Sequence, residues 1–175
     1  AAALEKVPAD VAAALALSQA LGLRRQEAVQ AGKALGEWSR LLDQAAKHGR
    51  DVFLPVLAGT KGGRPRHVLV PFDRLQAVQE AVQRASAQAA GQGGRVIDAV
   101  ELKTALKRVS NACRRAGLVG EDSNHGIRRL FAVRQLDHYL ASGLERGEAL
   151  ARLSQDLGHG DGRGRWVANN YLGGL

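Results

Sequence analysis

The sequence predicts a mainly α-helical domain with one small antiparallel β-hairpin, an α+β arrangement, and three observations predict it. Apolar residues make up 45% of the 175 positions but aromatics only 4%, so the core must come from Ala, Leu and Val, a mixture that favours helices. Apolar positions recur at steps of three and four along most of the chain. Only the stretch from Asp51 to Val70 breaks that rhythm, with short β-prone runs on either side of a turn-rich centre.

Taken in order, Pro8 to Ala20 reads as a helix, with Pro8 near its first turn and Val11, Leu15 and Leu17 among its apolar residues. Gly22 interrupts it. A second helical pattern runs from Arg24 to Lys47 with a break near Gly32 or Gly36, and Leu35, Trp38, Leu41 and Leu42 mark a buried stripe. Asp51 to Ala58 and Arg66 to Val70 are the two strands, and Gly59 to Pro65 is a hairpin loop longer than the tight two-residue kind. Pro55 makes the first strand an edge or bulged strand, because it cannot donate to a ladder.

Helical periodicity returns from Phe72 to Ala90, and Gly91 to Gly94 is a loop. Asp98 is expected to cap the next helix with Glu101 three residues on, and that helix carries Lys103, Lys107, Arg108, Arg114 and Arg115 before ending near Gly117. Ser123 or Asn124 would cap a helix from His125 to Ala141. Another helix spans Glu145 to Leu157, and a glycine-rich turn from Gly158 to Gly164 leads to a short closing segment, Trp166 to Leu172. Cys113 reads as a small core residue on a helix. Being alone, it excludes an intramolecular disulfide and a zinc site built on several cysteines.

Charge narrows the partner. Lys and Arg number 25 against 17 Asp and Glu, a net charge of +8, and a surplus of this size suits a polyanion whose counterions are released on binding. Arginine supplies most of it, favouring forked contacts to phosphate. No apolar run approaches the roughly 20 residues that span a bilayer, and the first residues lack the layout of a secretory signal. The expectation is a cytoplasmic protein with no membrane partner.

Four segments carry chemistry. In Gly22 to Glu27, a glycine-led turn places Arg24 at a helix start with Glu27 one turn on, able to orient an arginine. In Thr60 to Arg66, glycines at the hairpin tip let Lys61 reach a phosphate. In His125-Gly126-Ile127-Arg128, the spacing puts His125 and Arg128 on one helix face, with Leu130, Phe131 and Val133 available for an opposite, buried side. In Leu157-Gly158-His159-Gly160, the glycines suggest close approach to His159, and Tyr171 follows twelve positions later. Tyr139, which shares a helix pattern with Leu136 and Leu140, reads as core.

In this order, arginine, hairpin lysine, His-x-x-Arg, Leu-Gly-His and tyrosine, the segments resemble the catalytic signature of the tyrosine recombinases, the family of phage-type DNA integrases. The resemblance runs from Gly22 to Tyr171. It implies a recombinase/integrase catalytic-core fold and the catalytic set Arg24, Lys61, His125, Arg128, His159 and Tyr171. Tyr171 would attack a scissile phosphate to give a 3′-phosphotyrosyl link and a free 5′-hydroxyl, keeping the bond energy so that rejoining needs no ATP. Arg24 and Arg128 would neutralise the charge of the transition state. Lys61 would protonate the leaving 5′-oxygen, His159 would donate to the phosphate, and His125 would assist proton transfer at the tyrosine or hold the phosphate. A free phenol titrates at about 10, so attack near neutral pH needs a base or strong positive charge.

The same resemblance implies double-stranded DNA as partner, self-assembly on it, no metal and no small-molecule cofactor. It further implies a bacterial or phage-derived protein of a mobile genetic element, associated with the nucleoid. Residues 1–175 are expected to be a single catalytic domain without the family's amino-terminal DNA-clamping domain. Three departures from the pattern stand out. The spacing from His159 to Tyr171 is longer than usual, there is no room for the clamp before Arg24, and only a short tail follows Tyr171. Two alternatives share the fold: a type IB topoisomerase-like enzyme and a non-catalytic DNA-binding module. A helical RNA-binding protein would explain the charge but not the ordered motifs, and the chain lacks an aromatic stacking platform.

Overall fold

The first helix decides the architecture. α1 (Ala9–Leu21) is apolar on nearly every side, and Val11, Ala13, Leu15, Leu17 and Leu21 are all buried. A helix hydrophobic all round belongs in the middle of a domain, and the other elements wrap it in the computed structural model, which describes residues 4–118, 124–160 and 162–173. Its alanines let neighbours approach closely: α1 packs against α4 (Leu75–Ala90) and α6 (Asn124–Ala141).

The long helical pattern after Gly22 is broken where glycine predicts. α2 (Arg25–Val29) is followed by a 3-10 turn, Ala31–Ala34, and then α3 (Leu35–His48). The stripe of α3 is buried at Leu35, Trp38 and Leu42, and Leu41 is half-buried. Enclosing each such side chain contributes about 1.5–3 kcal/mol. Trp38 also donates its indole N–H to the carbonyl of Pro55 at 2.7 Å, fastening α3 to the sheet.

That sheet has two antiparallel strands, β1 (Val52–Val56) and β2 (Arg66–Val70), in a register pairing Val52 with Val70 and Val56 with Arg66. Pro55 faces His67 and is tolerated because both strands are edges. Leu54, Val56, Val68 and Val70 point to the core. So does Arg66, at an inward position of the same alternation.

α5 (Leu102–Arg115), α7 (Arg146–Asp156) and α8 (Gly164–Tyr171) complete the α-helices among the described residues. Cys113 is buried on α5, as expected. The cap expected at Asp98 stands instead at Glu101. The backbone N–H of Asp98 donates to Asp10 Oδ2 at 3.1 Å, and Asp10 also takes Arg108 Nε at 2.7 Å. A buried carboxylate at the start of α1 thus claims the segment, and helical geometry begins three residues later. Of the two caps proposed for α6, Ser123 lies outside the described residues.

The apolar side of α6 also differs from the sequence expectation. Phe131 is buried, but Leu130 and Val133 are 41% and 39% exposed. The buried line is Arg128, Phe131, Ala132, Gln135, Leu136 and Tyr139, at helical steps of three and four. Arg128 therefore lies on the core-facing stripe, not opposite it. No helix among the described residues is long and apolar enough to cross a membrane.

Candidate active site

The site is organised by one carboxylate. Glu27, 1% exposed, receives the backbone N–H of Arg24 at 2.7 Å and its Nη1 at 2.9 Å. Arg66 donates Nη2 at 2.7 Å and Nε at 3.2 Å to the same carboxylate, and Arg128 Nη1 lies 3.9 Å away. Burial pushes the Glu27 carboxyl up, but the hydrogen bond and charge of Arg66, the Arg24 amide and the charge of Arg128 outweigh it and hold its pKa below the usual range. The carboxylate expected from sequence to orient one arginine is a hub for three guanidiniums.

The turn after α7 supplies the opposite wall. Arg24 Nη2 donates to the carbonyl of Gly158 at 3.1 Å, and Arg128 Nη2 donates to the adjacent carbonyl, that of Leu157. Arg66 Nη1 donates to the carbonyl of Asp156. Three arginines from α2, β2 and α6 are thus tied to three consecutive carbonyls. Gly158 makes this possible: its φ is +69°, and a Cβ there would stand 2.6 Å from Arg66 Cδ and 3.0 Å from Arg24 Nη1.

Arg128 is 3% exposed, yet its Nε and Nη1 make no hydrogen bond among the described residues. Its guanidinium carbon sits 5.7 Å from the centre of the Tyr171 ring, within cation–π range. Burial pulls its pKa down to about 10, which leaves it charged near neutral pH.

His159 and Tyr171 meet directly. His159 Nε2 is 3.3 Å from the Tyr171 hydroxyl, and the Trp166 ring packs 4.5 Å from the imidazole. Burial first, then the charges of Arg128, Arg24, Arg163 and Arg66, push His159 down to about 4, so the imidazole is neutral at physiological pH. The long spacing between His159 and Tyr171 is spanned by a turn and the two turns of α8, which fold the phenol back onto the histidine. Asp161, within that turn, lies outside the described residues.

Of the six residues singled out from sequence, the structure brings Arg24, Arg128, His159 and Tyr171 together. The backbone of Lys61 opens a 3-10 turn, Lys61–Gly63, at the hairpin tip, and His125 is one turn before Arg128 on α6. The side chains of Lys61 and His125 lie outside the described residues. Beside the cluster opens a cleft of about 1020 Å³, with Arg24, Arg64, Arg66, Arg152, His159 and Arg163 among its lining residues. Tyr171 is buried and reached from the cleft through His159. Among the described residues no group of three or more His, Cys, Asp or Glu could hold a metal ion.

Sequence reasoning missed Arg66 and the network around Asp156. An arginine in phase with the inward valines Val68 and Val70 was the available signal for the first. Asp156 Oδ2 accepts from Tyr139 at 2.6 Å and from Gln135 at 2.7 Å, and Oδ1 accepts the Leu69 amide at 3.3 Å. Tyr139 is core, as expected, but its hydroxyl is committed to this carboxylate. Burial raises the Asp156 pKa and, with the charge of Asp156, raises that of Tyr139. No sequence pattern announces a contact between such distant positions.

A family model described as Integrase matches residues 2–134. That stretch takes in Arg24, Glu27, Lys61, Arg66, His125 and Arg128 and stops before His159 and Tyr171. No curated protein and no solved structure matches the chain. With the match covering well over half of its length, the chain belongs to the integrase family, whose business is DNA recombination.

Proposed function

We propose that the chain cuts and rejoins double-stranded DNA as a tyrosine recombinase, with Tyr171 as nucleophile and without metal or ATP. The phenol oxygen attacks the scissile phosphorus, the bond to the 5′-oxygen breaks, and a 3′-phosphotyrosyl link holds the energy for rejoining. Arg24 and Arg128 take the charge that builds on the non-bridging oxygens. Lys61, on the hairpin tip, protonates the leaving oxygen, and His125 assists at the phosphate. The work takes place on DNA in a bacterial cytoplasm, by copies assembled on the target.

One observation carries this reading: Arg24 and Arg128, 104 positions apart in sequence, share one buried carboxylate and flank a histidine in contact with Tyr171. Nitrogens without a hydrogen bond on a buried guanidinium suit an incoming anion. The basic cleft suits a phosphate backbone. Because Tyr171 is buried, a phosphate seated in the cleft meets His159 first.

The test is incubation with a pool of nicked duplexes of randomised sequence, in which cleavage sheds a short strand and traps the adduct. A covalent protein–DNA adduct that disappears in Tyr171→Phe is the expected result. An adduct undiminished by that change, or none with the unaltered chain, overturns the proposal.

A further inference from the structure

We propose that His159 is the general base of the cutting step, taking the phenolic proton of Tyr171 onto Nε2 as the phenol oxygen bonds to phosphorus. The inference rests on the functional reading above and alters one role within it. Resemblance alone makes His159 a donor to the phosphate and has His125 assist proton transfer at the tyrosine or hold the phosphate.

Geometry comes first. The Nε2 atom of His159 is 3.3 Å from the hydroxyl of Tyr171, so the ring nitrogen lies within reach of the group whose proton is to be moved. The residue is held on its backbone and on its ring. The His159 backbone N–H donates to the Ser154 carbonyl at 2.9 Å, and the Ser154 hydroxyl donates to the Gly160 carbonyl at 2.8 Å. The rings of Trp166 and Tyr171 lie 4.5 Å and 5.7 Å from its own, and 6.1 Å from each other. His159 also lines the cleft, and the three rings in mutual contact keep its Nε2 edge on the phenol.

The charges around it decide its protonation state. Arg24 at the head of α2, Arg66 on β2, Arg128 on α6 and Arg163 at the head of α8 act on it, and Glu27 stands behind three of these as their shared partner. Burial and this cationic surround keep the ring neutral, and a neutral ring carrying its proton on Nδ1 presents a lone pair at Nε2. A phosphate docking in the cleft against Arg24, Arg66 and Arg163 offsets part of this field, so basicity rises when substrate docks. The proton leaves Tyr171 for Nε2 as the O–P bond forms and the bond to the 5′-oxygen breaks. Lys61 supplies the proton of the leaving 5′-oxygen; in rejoining, the 5′-hydroxyl returns that proton to the Lys61 amine as its oxygen attacks phosphorus, and the departing phenolate recovers its own from the imidazolium.

The test follows single-turnover adduct formation on sequences recovered from the nicked pool. His159→Gln should slow it on the order of 10²-fold. Replacing Tyr171 by a fluorinated tyrosine, whose phenol is more acidic, should recover at least about 10-fold of that loss. A methylphosphonate at the scissile position, which needs no donor at the replaced oxygen, should recover none. Recovery on the methylphosphonate and not with the fluorinated tyrosine makes His159 a phosphate donor and overturns the inference, as does an unchanged rate in His159→Gln. A measurement on the unaltered protein guards against misfolding of the variant: 15N-histidine NMR should show the His159 proton on Nδ1, and a proton on Nε2 overturns the inference. Loss of the adduct in Tyr171→Phe with full activity in His159→Gln sinks this inference alone. An adduct that survives Tyr171→Phe sinks the functional reading with it.

Discussion

Arg66 grips Glu27 through two donors, Nη2 on Oε2 at 2.7 Å and Nε on Oε1 at 3.2 Å, and both side chains are buried. The same guanidinium reaches the carbonyls of Gly22 and Asp156, so it joins the head of α2 to the end of α7 through β2. Arg24 and Arg128 borrow their positions from this bond.

Breaking it should cost stability before it costs chemistry. Arg66→Ala leaves a buried carboxylate short of its main partner, and a loss of about 3 kcal/mol is expected. Urea unfolding should show a lower midpoint with an unchanged slope. Arg66→Lys should recover little, because one ammonium cannot span a carboxylate and two carbonyls.

Acid should act on two carboxylates in opposite directions. Glu27 has a folded pKa below that of an unfolded chain, so its stabilisation is complete above about pH 4.3 and is lost as the pH falls through the folded value. Asp156 has a raised folded pKa; its ionisation costs stability, a cost absent below about pH 3.9 and growing as the pH rises through the folded value. Between about pH 3 and 6, Tm should therefore fall less steeply on acidification in Glu27→Gln, and more steeply in Asp156→Asn, than in the unaltered protein.

Gly158 and Gly160 separate backbone strain from crowding. Both have positive φ, but a Cβ at Gly160 meets nothing within 4 Å, whereas one at Gly158 collides with Arg66 and presses on Arg24. Gly160→Ala should lose about 1 kcal/mol from strain alone. Gly158→Ala should lose more, and its adduct formation should drop by at least about 10-fold, since displaced arginines no longer converge. Thermal unfolding and the nicked-duplex assay read the two effects.

Arg128 tests the chemistry itself. Arg128→Lys keeps a positive charge but gives up the fork, and adduct formation should slow about 10²–10³-fold. Filter binding should show DNA affinity within a few-fold of the unaltered protein, because Arg128 is buried and does not line the open cleft.

The cleft arginines should behave the other way. Arg64→Ala and Arg163→Ala remove candidate phosphate contacts, so each should lower the slope of log affinity against log salt by about one. An unchanged slope in both variants would remove this cleft from the DNA path.

How much of this was legible depends on distance along the chain. The strands and the stripe of α3 follow from local periodicity, and the structure bears them out. Glu27 was visible as a neighbour of Arg24, one turn away. Its second and third arginines were not, because Arg66 and Arg128 come from elements whose packing no local pattern records. The α6 stripe was misread for a related reason. Leu130 and Val133 look like core by composition, yet the shared carboxylate draws Arg128 inward and turns those apolar residues to solvent.

The sequence by itself determined the elements, the basic surplus and the order of chemically able residues, since short-range sterics and side-chain periodicity act over a few positions. Only the tertiary structure decided that three arginines converge on Glu27 and that His159 faces Tyr171. Those contacts depend on long-range packing around α1, where a buried carboxylate must find cations and a buried cation must find acceptors.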